Sequence, residues 1–330
     1  MLVIPALDLR GGRLVRLWQG DYEQETVYGD DPVAVARAFA GAGAPRLHVV
    51  DLDGARAGRP VHRDLILRLV ASVPVPVQVG GGIRDAATAA DYLEGGAAAV
   101  IFGTVAVRRP DVVAAVAARY PGRVLVSLDL KDGQPALEGW TATDAVRAAG
   151  TLPPDPPDAG RTPAGPARPD GPEPATGPAC PASSGLATLL ARWRAAGVMD
   201  LIVTDTRRDG TLAGVDPAVF RPFLDAGFRV IAAGGVRDVD DVRKLRDAGL
   251  QGVIAGRALY EGTLDLTAAL AVASGEPAGA GDRPAVADRW PAVADPGPAV
   301  PGPRPAAPGQ GPAAPGDRPA GSSGKEAAPC

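Results

Sequence analysis

Short apolar runs rich in Val, Ile and Leu alternate along this chain with longer Ala-, Leu- and Arg-rich segments of helical period. An unbroken apolar run bounded by turn residues suits a strand buried on both faces, and its alternation with helices predicts βα units around a parallel sheet. Eight runs fit: Leu2 to Leu7, Arg46 to Asp51, Pro76 to Val79, Ala99 to Phe102, Val124 to Asp129, Leu201 to Thr204, Arg229 to Ala232 and Gly252 to Ala255. Helical segments lie between them, among them Pro32 to Ala42, Arg63 to Ala71, Ala86 to Glu94, Leu186 to Ala196 and Val239 to Ala248. Eight strands with intervening helices favour closure into a (βα)8 TIM barrel.

The chain also repeats itself. LDLRGG, with Asp8, returns as LDLKDG, with Asp129; VGGGIRD returns as AAGGVRD; IFGTVAV returns as IAGRALY. Asp8 and Asp129 lie about 121 positions apart, whereas Gly81 to Gly234 and Gly103 to Gly256 each span about 153. A two-fold half-barrel repeat is therefore expected, with roughly 32 residues gained between the fifth and sixth strands. That gain coincides with a Pro-rich stretch, about 144–184, read as a disordered expansion of the loop after the fifth strand. Residues 1–273 are then one barrel domain, and the Pro/Ala/Gly-rich residues 274–330 a disordered tail.

Composition narrows the possibilities. A hydrophobic content of 46% over 330 residues supports a sizeable core, even though the 43 glycines and 35 prolines crowd the two low-complexity stretches. The net charge of −4 and the lack of any Lys/Arg-rich block argue against general nucleic-acid binding. Cys180 and Cys330 both fall in low-complexity sequence, so neither a disulfide framework nor a metal site is indicated. His48 and His62 show no metal-ligand spacing, and His48 reads as a packed strand residue. The opening MLVIPALDLR suits neither a signal peptide nor a membrane span, and a cytoplasmic monomer is expected.

In a barrel of this kind the chemistry belongs at the C-terminal ends of the strands. Asp8 at the end of the first strand and Asp129 at the end of the fifth face each other across an eight-membered ring, which suits two-sided acid/base work. A lone strand-end Asp would read as a cap; the matched LDL frames favour function. The duplicated glycines, Gly80, Gly81 and Gly82 after the third strand and Gly234 and Gly235 after the seventh, offer backbone amides to phosphate, aided by following helix N-termini. Gly103-Thr104 and Gly256-Arg257, after the fourth and eighth strands, extend both sites and imply a small molecule phosphorylated at each end. Tight turns are the competing explanation for these glycines. Arg84, Arg237 and Arg257 are candidates for further anion partners, with solvated surface arginines the competing explanation. TDTRRDGTLAG after the sixth strand brings Thr204, Asp205 and Asp209 to the Asp129 side of the mouth, with Thr204 suited to hydrogen-bond a catalytic carboxylate and Asp209 a second candidate acid. Its counterpart is VDLDGARAG, with Asp51 and Asp53. No metal is needed.

Together, IPALDLRGGRLVRLWQGDYEQETVYGDDP, HVVDLDGA, VGGGIR, IFGT, SLDLKDG, GW, TDTRRDGTL and AAGGV resemble the ProFAR (phosphoribosylformimino-5-aminoimidazole carboxamide ribotide) isomerases of histidine biosynthesis. The resemblance covers Met1 to about Ala273 apart from the loop expansion. It implies an Amadori rearrangement of a bisphosphorylated aminoaldose to an aminoketose, without a cofactor. It makes Asp8 the general base at C2′, Asp129 or Asp209 the acid that opens the furanose ring, and Thr204 the support of the acid. It also makes Trp140 a stacking residue and Arg16 a ligand-facing arginine.

Relatives that also isomerise phosphoribosyl anthranilate carry an arginine just before the loop-five Gly-Trp, where this chain has Glu138. That departure argues against dual activity, although the Ala/Pro/Gly/Arg-rich composition fits a GC-rich background in which dual enzymes occur. The cyclase of the same pathway shares the barrel, both aspartates and the phosphate sites, but QGDYEQETVYGDDP resembles the isomerase. A non-catalytic, phosphate-binding barrel would have no use for the paired Asp8 and Asp129.

Overall fold

A computed structural model describes residues 1–131, 134–135 and 183–275. Its strands are β1 (Leu2–Arg10), β2 (Arg13–Trp18), β3 (Asp21–Gly29), β4 (Leu47–Asp51), β5 (Val77–Gly80), β6 (Ala99–Phe102), β7 (Val124–Lys131), β8 (Gln134–Pro135), β9 (Asp200–Asp205), β10 (Arg229–Ala233) and β11 (Gly252–Ala255). Eight of them, β1, β4, β5, β6, β7, β9, β10 and β11, pair in parallel in that order. The ring closes where Leu2 to Pro5 of β1 pair with Gly252 to Ala255 of β11. These eight are the apolar runs of the sequence, so the barrel expected from them is the barrel observed. The Pro-rich loop expansion and the tail lie outside the described residues.

A strand shows its faces alternately, and here both faces are dry. Val3, Leu7, Val49, Val79, Val100, Val126, Val203, Val230 and Val253 point outward into a core shared with the helices. The intervening Ile4, Ala6, Ala99, Ile101, Leu125, Ile202, Ile231, Ala233 and Ile254 pack together as a separate cluster inside the ring. The helices begin where acidic caps allow. Asp31 accepts from the backbone N–H groups of Val33 and Ala34 with Pro32 in the first turn, and Asp85, Asp238 and Asp265 cap later helices in the same way. Asp85 and Asp238 recur at the spacing that separates Gly81 from Gly234, so the half-barrel repeat holds in three dimensions.

One element was not anticipated. Beyond Arg10 the chain turns through Gly11 and Gly12, both at positive φ, into β2, and turns again at Gln19 and Gly20 into β3. The antiparallel pairing of β1 with β2 and of β2 with β3 raises a hairpin over the barrel mouth. Turn residues at 11–12 and 19–20 were the signal for it.

The glycine pairs have a steric explanation of their own. Gly81 and Gly234 sit at φ +96° and +93°, and a Cβ there would lie 2.1 Å from the carbonyl oxygen of Asp51 and 2.5 Å from that of Asp205, respectively. Each glycine lets one βα turn nest against the end of the preceding strand. Gly103 has nothing within 4 Å of a built Cβ and no positive φ, so neither reason applies there. Gly234→Ala should therefore lower the unfolding free energy by about 1–3 kcal/mol, the usual cost of such a conformation, while Gly103→Ala leaves it nearly unchanged. Urea unfolding of the two variants checks this contrast, and equal losses would refute it.

Candidate active site

Following the inward-facing columns toward the strand ends brings the polar residues in. On β1 the column Ile4, Ala6 continues to Asp8; on β7, Leu125 and Ser127 lead to Asp129; on β9, Ile202 leads to Thr204. Asp8 and Asp129 stand four strands apart by either route around the ring. Neither residue ends its strand, because β1 and β7 run two residues further to pair with β2 and β8. Thr204 lies beside Asp129 in the β7–β9 ladder. Its hydroxyl makes no hydrogen bond among the described residues, so the bond expected between Thr204 and a carboxylate is not seen.

The two aspartates occupy different environments. Asp129 is exposed at the mouth. The Asp8 side chain is only 14% exposed, and its carboxylate accepts a hydrogen bond of 2.6 Å from Arg16 Nη1. Burial pushes the Asp8 pKa above the ordinary carboxylate value; the Arg16 charge opposes that rise, and nearby Asp209 adds to it. Burial wins because an ion pair regains only a few kcal/mol at a protein's effective dielectric, while desolvating the carboxylate costs as much or more.

Asp209 corrects the sequence reading. It was expected near Asp129, but its carboxylate lies 3.6 Å from Arg16 Nη2, on the Asp8 side. The cause is the hairpin: Gln19 donates its backbone N–H to the Asp209 carbonyl and its side-chain amide to the Arg207 carbonyl, which draws the 205–210 turn inward. Arg16 thus bridges two carboxylates. Its guanidinium fills the space that a side chain at position 256 would need, since a Cβ on Gly256 would lie 2.4 Å from Arg16 Cζ. Arg16 Nε is buried without a hydrogen-bond partner among the described residues.

Around this arginine a small open cleft is lined by Asp209, Gly210, Gly234, Gly235, Gly256 and Arg257, among others. Arg257 donates to the Gly210 carbonyl and to Glu261 and lies over the Trp18 ring at 5.3 Å. On the other side of the mouth are Gly81, Gly82, Gly103 and Thr104. The expectation that helix N-termini assist these loops holds only weakly. The helices at Ala86 and Val239 already have first-turn N–H groups bonded to Asp85 and Asp238, and those opening after Gly103-Thr104 and Gly256 have four residues each. Of the arginines named from sequence, Arg237 pairs with Asp238, and Arg84 packs against Gly58. Trp140 and Glu138 lie outside the described residues.

Asp51 and Asp53 serve the loops. Asp51 is fully buried, and its carboxylate accepts from the backbone N–H groups of Gly54, Val61 and His62. Asp53 accepts from the Gly11 N–H and bonds His62 Nε2, each at 2.6 Å, tying the hairpin turn to the second loop. His48 is buried, as its strand position implied, and burial with the nearby Arg16 charge pushes its pKa down to about 3, so it is neutral. Among the described residues no helix is long and apolar enough to cross a membrane, and no cluster of His, Cys, Asp or Glu could hold a metal ion.

A family described as histidine biosynthesis protein matches residues 2–152 and 177–265. The unmatched interval, 153–176, falls within the stretch read from sequence as a loop expansion. A protein of Moorella thermoacetica is 43% identical over 278 residues, 83% of this chain and 99% of its own length. One from Roseiflexus castenholzii is 42% identical over 275 residues, 82% and 99%. One from Desulfosudis oleivorans is 41% identical over 278 residues, 83% and 96%. All three are named 1-(5-phosphoribosyl)-5-((5-phosphoribosylamino)methylideneamino)imidazole-4-carboxamide isomerase.

The Asp8 environment has a measurable consequence. Because its folded pKa lies above the ordinary value, its contribution to stability is fully present below that ordinary value and is lost as pH rises through the folded pKa. Asp8→Asn removes the charge that burial disfavours. The variant should melt at a higher temperature than wild type at pH ~7, with the gap closing as pH falls below the ordinary carboxylate value near ~3.9. A variant less stable than wild type at neutral pH would show that the Arg16 pair outweighs burial.

Proposed function

The chain belongs to the histidine-biosynthesis protein family, and on that premise we propose that it catalyses the isomerisation for which its relatives are named, converting a bisphosphorylated aminoaldose to the aminoketose. The observation that carries this reading is the placement of two inward-facing carboxylates on opposite strands of the mouth, one desolvated beside an arginine and one open to solvent. Asp8 serves as the base. Its raised pKa makes it a stronger proton acceptor than an ordinary carboxylate, and Arg16 keeps it ionised and aimed. Asp129 serves as the acid that protonates the ring oxygen. Its position opposite Asp8 supports this assignment, whereas Asp209 shares Arg16 with the base and suits a positioning role. Substrate seated over Asp129 would exclude water from it. Thr204, beside Asp129 in the ladder, orients it once substrate is bound.

The phosphoryl groups fit the two glycine-lined sides of the mouth. One lies in the cleft formed by Gly234, Gly235, Gly256 and Arg257, where Arg16 supplies charge. The other lies against Gly81, Gly82, Gly103 and Thr104, with Gly103 leaving open space for close approach. Trp140 is assigned to stack on the substrate, and Glu138 to mark single specificity. The reading needs no cofactor and carries with it a monomer working in the cytoplasm on a small bisphosphate.

A spectrophotometric assay of the purified chain with ProFAR, repeated with phosphoribosyl anthranilate, tests it. Turnover of the first compound alone is expected, and Asp8→Asn should reduce kcat by at least ~10²-fold with little change in KM. No turnover of either compound would overturn the isomerase reading; near-normal turnover by the variant would remove Asp8 from its role.

A further inference from the structure

A buried polar network lies inside the ring below the mouth. His48 of β4 occupies the inward column of its strand, paired in register with Ala6 of β1 and Gln78 of β5. Gln78 is fully buried, and His48 is 9% exposed. The network orders itself from one end. A guanidinium can only donate, so the contact of 3.3 Å between Arg46 Nη1 and Gln78 Oε1 turns the carbonyl oxygen of the Gln78 amide toward Arg46. The amide nitrogen must then face His48, where Gln78 Nε2 lies 3.0 Å from Nδ1. That nitrogen donates, so His48 Nδ1 accepts, and in a neutral imidazole the proton belongs on Nε2. Among the described residues Nε2 has no hydrogen-bond partner, yet the ring lies next to small Ala6, one inward position below Asp8, and within electrostatic reach of Arg16.

We infer that His48 is a neutral, tautomer-fixed hydrogen-bond donor to the substrate oxygen at C2′, with Gln78 and Arg46 as its positioning residues. The inference rests on the isomerase reading. After ring opening, Asp8 takes the C2′ proton, the freed pair forms C1′=C2′, and the C1′=N pair moves onto the protonated imine nitrogen. The C2′ hydroxyl then gives its proton to the carboxylate that opened the ring, Asp8 returns its proton to C1′, and C2′=O forms. Negative charge grows on the C2′ oxygen as its proton leaves. A donor that is never an imidazolium stabilises that charge without protonating the oxygen and stalling the ketone.

The sequence holds only two histidines, His48 and His62, so imidazole signals of the isotope-labelled full chain assign simply, by loss of one set in a His62→Gln variant. Long-range proton–nitrogen spectra of wild type between about pH 5.5 and 8.5 should show His48 untitrated and protonated on Nε2, and ProFAR added to the Asp8→Asn variant should move that Nε2–H signal. His48→Leu should lower kcat about 10²-fold, as loss of one oxyanion donor does, with KM little changed; Gln78→Leu should lower it less and mix the tautomers. A wild-type His48 that titrates, carries its proton on Nδ1 or ignores the ligand overturns the inference, as does unchanged kcat in a folded His48→Leu. A wild type that does not turn over ProFAR instead overturns the functional reading.

Discussion

The two-residue period of a strand, imposed on eight parallel strands at once, aims every group at the barrel mouth. The apolar side chains that fill the ring and the polar ones above them belong to the same columns, so the packing that stabilises the interior also orients the chemistry. Ile4 and Ala6 cannot pack inward without Asp8 following them, and the same holds for Leu125 and Asp129. A slip of one residue in any pairing would bury the carboxylate among the helices and expose the ring interior.

Given that aim, the difference between the two carboxylates comes from the hairpin of β2 and β3. It delivers Arg16 to Asp8 and draws the 205–210 turn over the same arginine through Gln19, while Asp129 stays exposed to solvent. Gly256 completes the arrangement by omission, its missing side chain being the space in which the guanidinium sits. A barrel built from two similar halves thereby acquires two unlike ends at its mouth, which is what an acid and a base need.

Much of this was legible in the amino-acid sequence because the apolar runs are short, clean and duplicated. The repeat exposed Asp8 and Asp129 as equivalents, and their opposition across the ring follows from strand order alone. The hairpin was less legible, since Asp21–Gly29 is largely exposed and mixed in polarity, with only its glycine turns to betray it. Asp209 was placed on the wrong side because a backbone bond from Gln19, remote in sequence, sets that loop. The glycines were half understood: Gly81 and Gly234 answer to a steric demand from strand ends, Gly256 to an arginine side chain, and only Gly103 is left to openness. The His48 network depends on Arg46 and Gln78 meeting across neighbouring strands, which no local pattern encodes.

The central claim is that the base is Asp8 in its desolvated, arginine-paired niche. Its most direct test is the acidic limb of the wild-type kcat/KM profile, because a base must be deprotonated to act and activity falls as pH drops through its pKa. A limb above the ordinary carboxylate value near ~3.9 is the predicted result; a limb at that value, or a flat profile down to it, would contradict the account.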